Sequence, residues 1–174
     1  MDAVEDSQEA IDAFFLDSQQ FEPEDSLLVG QKYLRLYGLL QAMFLQQDAI
    51  ASMLEAVGLG YEPMSDSERD LLKGVRTIRN QSVGHPTKYV RGKRTQHAFI
   101  VRASISPTAF EYLLWDSSDP TPEFIAVDLG ALRSQQATAI DTALGDVDDH
   151  LQVIAKDFEL GDLDWWLDDS GPPG

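Results

Sequence analysis

No cysteine occurs in these 174 residues. Disulfides and thiolate metal sites are therefore excluded, and the composition is compatible with a reducing compartment without proving one. Positive charge is scarce as well: 13 Lys/Arg stand against 30 Asp/Glu, a formal charge of −17 at pH 7. Most of such a surface repels phosphate, which argues against general binding to DNA or to anionic membranes and leaves room only for a local nucleic-acid contact. No stretch approaches the roughly 18 to 20 apolar residues that span a bilayer. The start, Met1-Asp2-Ala3-Val4-Glu5-Asp6-Ser7, is acidic and lacks the apolar core of a secretory signal. A soluble, cytoplasmic chain with no membrane contact is the expectation. Its length suits one domain with a real hydrophobic core rather than two.

The few cations that are present are gathered. From Leu71 to Phe110 there are eight Lys/Arg and no Asp or Glu, while the rest of the chain carries five against all 30 acids. A protein of this charge that keeps its cations in one stretch is expected to meet an anion there.

Hydrophobic spacing gives the organisation. Glu5 to Gln20 places Ile11, Phe14 and Phe15 on one side of a short helix that stops before Pro23. Asp25 to Val57 repeats Leu36, Leu40, Met43, Ile50 and Leu54 at three- and four-residue steps and stops at Gly58. Ser65-Asp66-Ser67-Glu68 is a capping box for a third helix, with Leu71, Val75 and Ile78 as its buried edge and an end near Val83 set by Gly84 and Pro86. The period then changes to two. Phe99, Val101, Ala103 and Ile105 predict a strand, Phe110 to Trp115 its partner, and Glu123 to Val127 a third after a loop at Ser117 to Pro122. Ile140, Leu144, Val147, Leu151, Ile154 and Phe158 return to helical spacing and predict a bundle seam. The expectation is a single domain over residues 1–160 with a β insertion at about 97–128, followed by an acidic tail over 161–174.

Chemistry concentrates at the end of the third helix. Arg79 sits in its last turns and His85 just beyond, so both can point at one place. A histidine there feels a helix C-terminus that favours imidazolium and arginines that oppose it, and could titrate near neutrality. It could act as general base or acid on a ribose hydroxyl, with Arg79 stabilising a phosphorane-like transition state and Asn80 orienting the histidine or holding a phosphate oxygen. No metal or other cofactor is required, because His85 and His97 alone make a poor zinc site and the segment has no carboxylates for Mg²⁺. The alternative is structural: Arg79 pairs with a carboxylate of a neighbouring helix, and Gly84-His85-Pro86 is capping chemistry. Next to it, Lys88-Tyr89-Val90-Arg91-Gly92-Lys93-Arg94 reads as a basic loop with an interleaved aromatic. It suits RNA, with Arg76 as a further phosphate contact, or else it is a solvated loop balancing the acidic surface. Tyr61, Tyr112, Trp115 and His97 read as packing residues, and His150 as a helix-surface residue.

Arg79-Asn80-Gln81-Ser82-Val83-Gly84-His85 resembles the signature of the HEPN superfamily: an arginine, a polar neighbour, and a histidine four to six residues beyond the arginine. The resemblance is close over the motif and loose over the bundle. It implies a four-helix up-down bundle; the small antiparallel β-meander read before the last core helix departs from the plain family pattern, as an insertion, and the very acidic remainder departs from it as well. The resemblance also implies metal-independent RNA cleavage, with His85 as acid/base and Arg79 as charge stabiliser, in a composite site shared by two protomers. A toxin or defence setting with an antitoxin partner is one expectation. A non-catalytic module that binds a nucleotide or a protein is the other. An acidic mimic of nucleic acid is a third, but it leaves the basic stretch without a role. Finally, Trp165-Trp166 lies among Asp162, Asp164, Asp168 and Asp169, and could dock on a partner or on the chain's own basic stretch.

Overall fold

The computed structural model describes residues 2–20, 29–60, 65–84, 89–91, 94–116 and 119–157. The sequence's longest apolar repeat forms the central helix. Taking Asp2–Gln20 as α1, this second helix, α2, spans Val29–Ala56 and buries Leu36, Leu39, Leu40, Met43, Ile50 and Leu54 along one side. Each of these large side chains contributes about 1.5–3 kcal/mol by leaving water. Asp25, the expected N-cap, lies outside the described residues. The other end is as expected: Gly58 takes φ +81, and bonds run from Leu59 N to Leu54 O (2.9 Å) and from Gly58 N to Glu55 O (3.0 Å). That pair of bonds is a Schellman motif, and glycine supplies its left-handed residue without steric cost.

Helix α3, Asp66–Arg79, starts on the expected capping box, in which Ser65 and Glu68 each receive the other's backbone N–H. Its buried edge is rotated from the expected one. Leu72 and Val75 are buried, whereas Leu71 and Ile78 are only half-buried, because α3 packs against both α2 and the last helix. Nor does it remain α-helical to Val83. At Asn80 the chain enters a π-helical turn, Asn80–Gly84. The Ser82 hydroxyl donates to the Ile78 carbonyl (2.6 Å), the acceptor that an α-helix would offer to the Ser82 N–H, and the ladder shifts accordingly.

Four antiparallel strands follow in meander order: β1 Tyr89–Arg91, β2 Arg94–Ile100, β3 Ala109–Asp116 and β4 Asp119–Asp128. The β region therefore begins earlier than expected, and the expected basic loop is partly a hairpin in which Arg91 pairs with Arg94. The expected loop at Ser117 to Pro122 is likewise shorter, since β4 resumes at Asp119. The phase of β2 is also corrected. Ala98 and Ile100, not Phe99, face the core, and the strand ends at Ile100 before a 3-10 turn at Arg102–Ser104. Alternation alone could not choose between the two faces, because Phe99 and Ala98 are both apolar.

Helix α4, Leu129–Asp157, returns along the helices and buries Leu129, Leu132, Gln136, Ala139, Ile140, Ala143 and Val147. The expected seam holds only in part. Leu144 is exposed although Ala143 and Val147 beside it are buried, and Leu151 and Ile154 are exposed because among the described residues nothing buries the helix past Val147; Phe158 lies outside the described residues. Among the described residues the protein is thus mainly helical, with four α-helices and one small antiparallel sheet. One apolar cluster joins α1, the first half of α2, α3 and the inner face of the sheet. A second joins the later half of α2 to Leu72 and to α4.

Between the clusters runs a chain of amides. Gln47 Nε2 donates to Gln136 Oε1 (2.9 Å), Gln136 Nε2 to Gln46 Oε1 (2.7 Å), and Gln46 Nε2 to Gln8 Oε1 (2.8 Å). Gln46, Gln47 and Gln136 are each 2 % exposed, so their polar atoms must be satisfied within the protein.

Candidate functional site

The glutamine chain ends on the basic face of α3. Arg76 Nε donates to Gln47 Oε1 (2.9 Å), and its Nη2 is ion-paired with Asp48. One helical turn on, Arg79 is held differently. Its Nη1 donates to Asn80 Oδ1 (2.9 Å) and its Nη2 to Gln41 Oε1 (2.7 Å), both neutral oxygens. Arg79 Nε is buried and has no hydrogen-bond partner. Both guanidinium carbons sit over the Phe44 ring, Arg76 at 4.6 Å and Arg79 at 4.4 Å from its centroid. Two parallel interactions with one ring hold the cations in place, each contributing about 0.5–2 kcal/mol.

The electrostatic consequence separates the two arginines. Asp48 compensates Arg76, but among the described residues no carboxylate is ion-paired with Arg79. An anion arriving at Arg79 would meet a half-buried positive charge already oriented by Gln41, Asn80 and Phe44. At Arg76 it would first have to compete with Asp48. Among the described residues, the pairing with a carboxylate of a neighbouring helix that the structural alternative expected at Arg79 is seen at Arg76.

The π turn brings this helix end against the sheet. The Tyr112 hydroxyl, on the inner face of β3, donates to Gln81 Oε1 (2.9 Å). Burial, and then the charge of Glu123, raise the Tyr112 hydroxyl above its ordinary 10.0. His85, Lys88 and Lys93 lie outside the described residues, so their distances to Arg79 are not part of this geometry. Tyr89, Arg91 and Arg94 occupy the β1–β2 hairpin, with Tyr89 opposite Gln96.

Further back along α3, a cavity of ≈ 280 Å³ is lined by Gln47, Arg69, Leu72, Lys73 and Arg76. Its cations are paired: Arg69 with Asp66 (2.5 Å), Lys73 with Asp70 (2.9 Å), and Arg76 with Asp48. At the start of α3, hydrogen bonds from Ser65 and Thr142 hold the Glu68 carboxyl below its ordinary 4.5, which ties the helix start to α4.

Sequence reasoning found Arg76, Arg79 and Asn80 but not the α2 residues beneath them. Gln41, Phe44 and Asp48 follow one another at steps of three and four, which places them on one face of α2, and that spacing was the available signal. Trp115 and His97 pack on one another, with ring centroids 5.2 Å apart, in keeping with a sheet-packing role. Among the described residues no group of three or more His, Asp or Glu could hold a metal ion, and no helix is long and apolar enough to cross a membrane. Comparison with protein-family models, curated proteins and solved structures finds no match to this chain.

Proposed function

We propose that the end of α3 is the site of a metal-independent endoribonuclease of the HEPN type, acting on single-stranded or looped RNA in the cytoplasm. The observation that carries this reading is Arg79, a half-buried guanidinium oriented by neutral partners and, among the described residues, ion-paired with no carboxylate. In the proposed reaction His85 takes the proton of a ribose 2′-hydroxyl, whose oxygen attacks the adjacent phosphorus. The bond to the 5′-oxygen breaks, that oxygen leaves as a 5′-hydroxyl after protonation, and a 2′,3′-cyclic phosphate remains. Arg79 stabilises the charge that develops on the phosphorane oxygens, and Asn80 holds the guanidinium in place. The basic hairpin with Tyr89, Arg91 and Arg94, together with Lys88 and Lys93, would follow the RNA backbone. Arg76 would contribute once an incoming phosphate displaces Asp48.

The proposed assembly is a homodimer of up-down bundles that brings two such motifs together, with an antitoxin-like protein as a further partner. The second reading, a non-catalytic module that binds a nucleotide or a protein, draws on the compensation of Arg76 by Asp48 and on the −17 charge. Incubating labelled RNA in EDTA with the intact chain, His85→Ala and Arg79→Ala tests the proposal. We expect cyclic-phosphate products from the intact chain and a loss of about 10²- to 10⁴-fold in each variant. Absence of cleavage by the intact chain, or cleavage that survives both substitutions, refutes the enzymatic reading. Nucleotide binding at Arg79 without cleavage selects the second.

A further inference from the structure

The cavity behind the α3 site combines two kinds of lining. Arg69, Leu72, Lys73 and Arg76 follow one another on α3 at steps of three, one and three, so they share one face, and Gln47 of α2 meets them there. The surface around its ≈ 280 Å³ is mainly carbon. In this set of residues that carbon is Leu72 and the methylene stems of the three cations, which lie along apolar surface while their heads stay in water. An apolar hollow rimmed by cations suits a ligand that carries both features.

The partners of those cations name the head group. Each already holds a carboxylate: Arg69 that of Asp66, Lys73 that of Asp70 and Arg76 that of Asp48. These aspartate side chains are 93 %, 71 % and 48 % exposed, so the pairs are of the weak, solvent-screened kind. An entering carboxylate exchanges like for like, or shares a guanidinium that has five N–H donors, and the net gain comes from burying its apolar body. Arg76 is held for it independently of Asp48, by the Phe44 ring and by the bond from Nε to Gln47.

The body is apolar because the described lining has no free group to read a polar one. Gln47 is 2 % exposed and both ends of its amide are engaged, Oε1 by Arg76 and Nε2 by Gln136. A nucleobase or a sugar here would leave its own polar edge unpaired. The volume sets the size: ≈ 280 Å³ corresponds to about nine water-sized groups at about 30 Å³ each. We propose that this cavity binds a medium-chain fatty acid of about eight carbons, its carboxylate among Arg69, Lys73 and Arg76 and its chain against Leu72. Binding here needs neither Arg79 nor RNA, so this site and the cleavage reading can fail separately.

The test is isothermal titration calorimetry of the full chain at pH 7 with butanoate, hexanoate, octanoate and decanoate. We expect saturable one-to-one binding that tightens about three- to fourfold with each added CH₂ and levels off near eight carbons, at about the volume of the cavity. Octylammonium, of the same length and opposite charge, should bind at least about fivefold more weakly than octanoate, and the Arg69→Gln/Lys73→Gln pair should weaken octanoate by a similar factor. Asp70→Asn alone, which removes a competing carboxylate from an exposed pair, should tighten octanoate by up to about fivefold and guards against misfolding of the double variant. Uridine 5′-monophosphate should not displace octanoate. No saturable binding of octanoate, an affinity that ignores chain length, octylammonium bound as tightly as octanoate, displacement by uridine 5′-monophosphate, or unchanged affinity in the folded variants overturns the proposal.

Discussion

Replacing Gln136 by leucine should destabilise the protein more than removing Gln46, Gln47 and Gln136 together. Gln136 accepts from Gln47 Nε2 (2.9 Å) and donates to Gln46 Oε1 (2.7 Å) and to the Met43 carbonyl (3.0 Å). Leucine keeps the volume, so a cavity is not the main loss. Two buried amide groups, the Gln47 donor and the Gln46 acceptor, are left without partners, each at about 1–3 kcal/mol. The Met43 carbonyl retains its place in the α2 ladder and adds little. We expect a loss of about 3 kcal/mol, a large part of the roughly 5–15 kcal/mol that holds a domain folded. At about 2–4 °C per kcal/mol for a chain of this size, Tm should fall by about 6–12 °C.

In the triple variant Gln46→Leu/Gln47→Leu/Gln136→Leu both interior orphans vanish. The remaining unpaired groups, Gln8 Oε1 and Arg76 Nε, belong to half-buried residues that water can reach. Most of the lost stability should return. Urea and thermal unfolding followed by circular dichroism measure both. A Gln136→Leu protein within about 0.5 kcal/mol of the parent, below the net value of one ordinary hydrogen bond, would refute the closed amide chain. A triple variant as unstable as the sum of its singles would refute the orphaned-group reasoning.

Phe44→Leu should leave the fold intact but remove the ring beneath both guanidiniums, reducing RNA affinity by about 2- to 30-fold, read by anisotropy. Asp48→Asn should free Arg76, tighten RNA binding and steepen the salt dependence by about one phosphate contact, a slope change near 0.7 in a log–log plot. As a partly exposed pair, the Arg76–Asp48 bridge should cost no more than about 1 kcal/mol of stability when broken. The pH response has two limbs of opposite sign. Glu68 is held low in the folded state, so its contribution is present above its ordinary 4.5 and disappears as pH falls through the lowered folded value. Tyr112 is raised, so its contribution is present below 10.0 and disappears as pH rises through the higher folded value. Ultraviolet difference titration should show two late-ionising tyrosines, Tyr37 and Tyr112, of which Tyr112→Phe removes one.

Local signals were legible where one residue dictates one backbone event. The Ser65–Glu68 box and the Gly58 stop needed only their own neighbours, and both stand where expected. The second helix was readable because its apolar repeat is long enough for one face to be unambiguous. Where two phases were both apolar, as at Ala98 and Phe99, alternation identified a strand but not its inward face. The α4 seam failed for a related reason. Helical spacing shows that Leu151 and Ile154 share a side, but it carries no information about whether another element reaches that far.

By itself, then, the chain's order of residues determined the charge segregation, the helix caps, the secondary-structure classes and the concentration of cations around Arg79, all of which depend on residues near one another in sequence. Tertiary structure decided which cation is compensated among the described residues. Asp48 and Gln41 lie on α2, 28 and 38 residues from the arginines they meet, and only the packing of α2 against α3 gives Arg76 a carboxylate and Arg79 two neutral oxygens. It also decided which face of the sheet meets the helices, the one that carries Phe110 and Tyr112, and which leaves Phe99 and Phe124 exposed among the described residues. Charge is a property of the residue, but compensation of charge is a property of distance, and distance between remote segments exists only once the chain has folded.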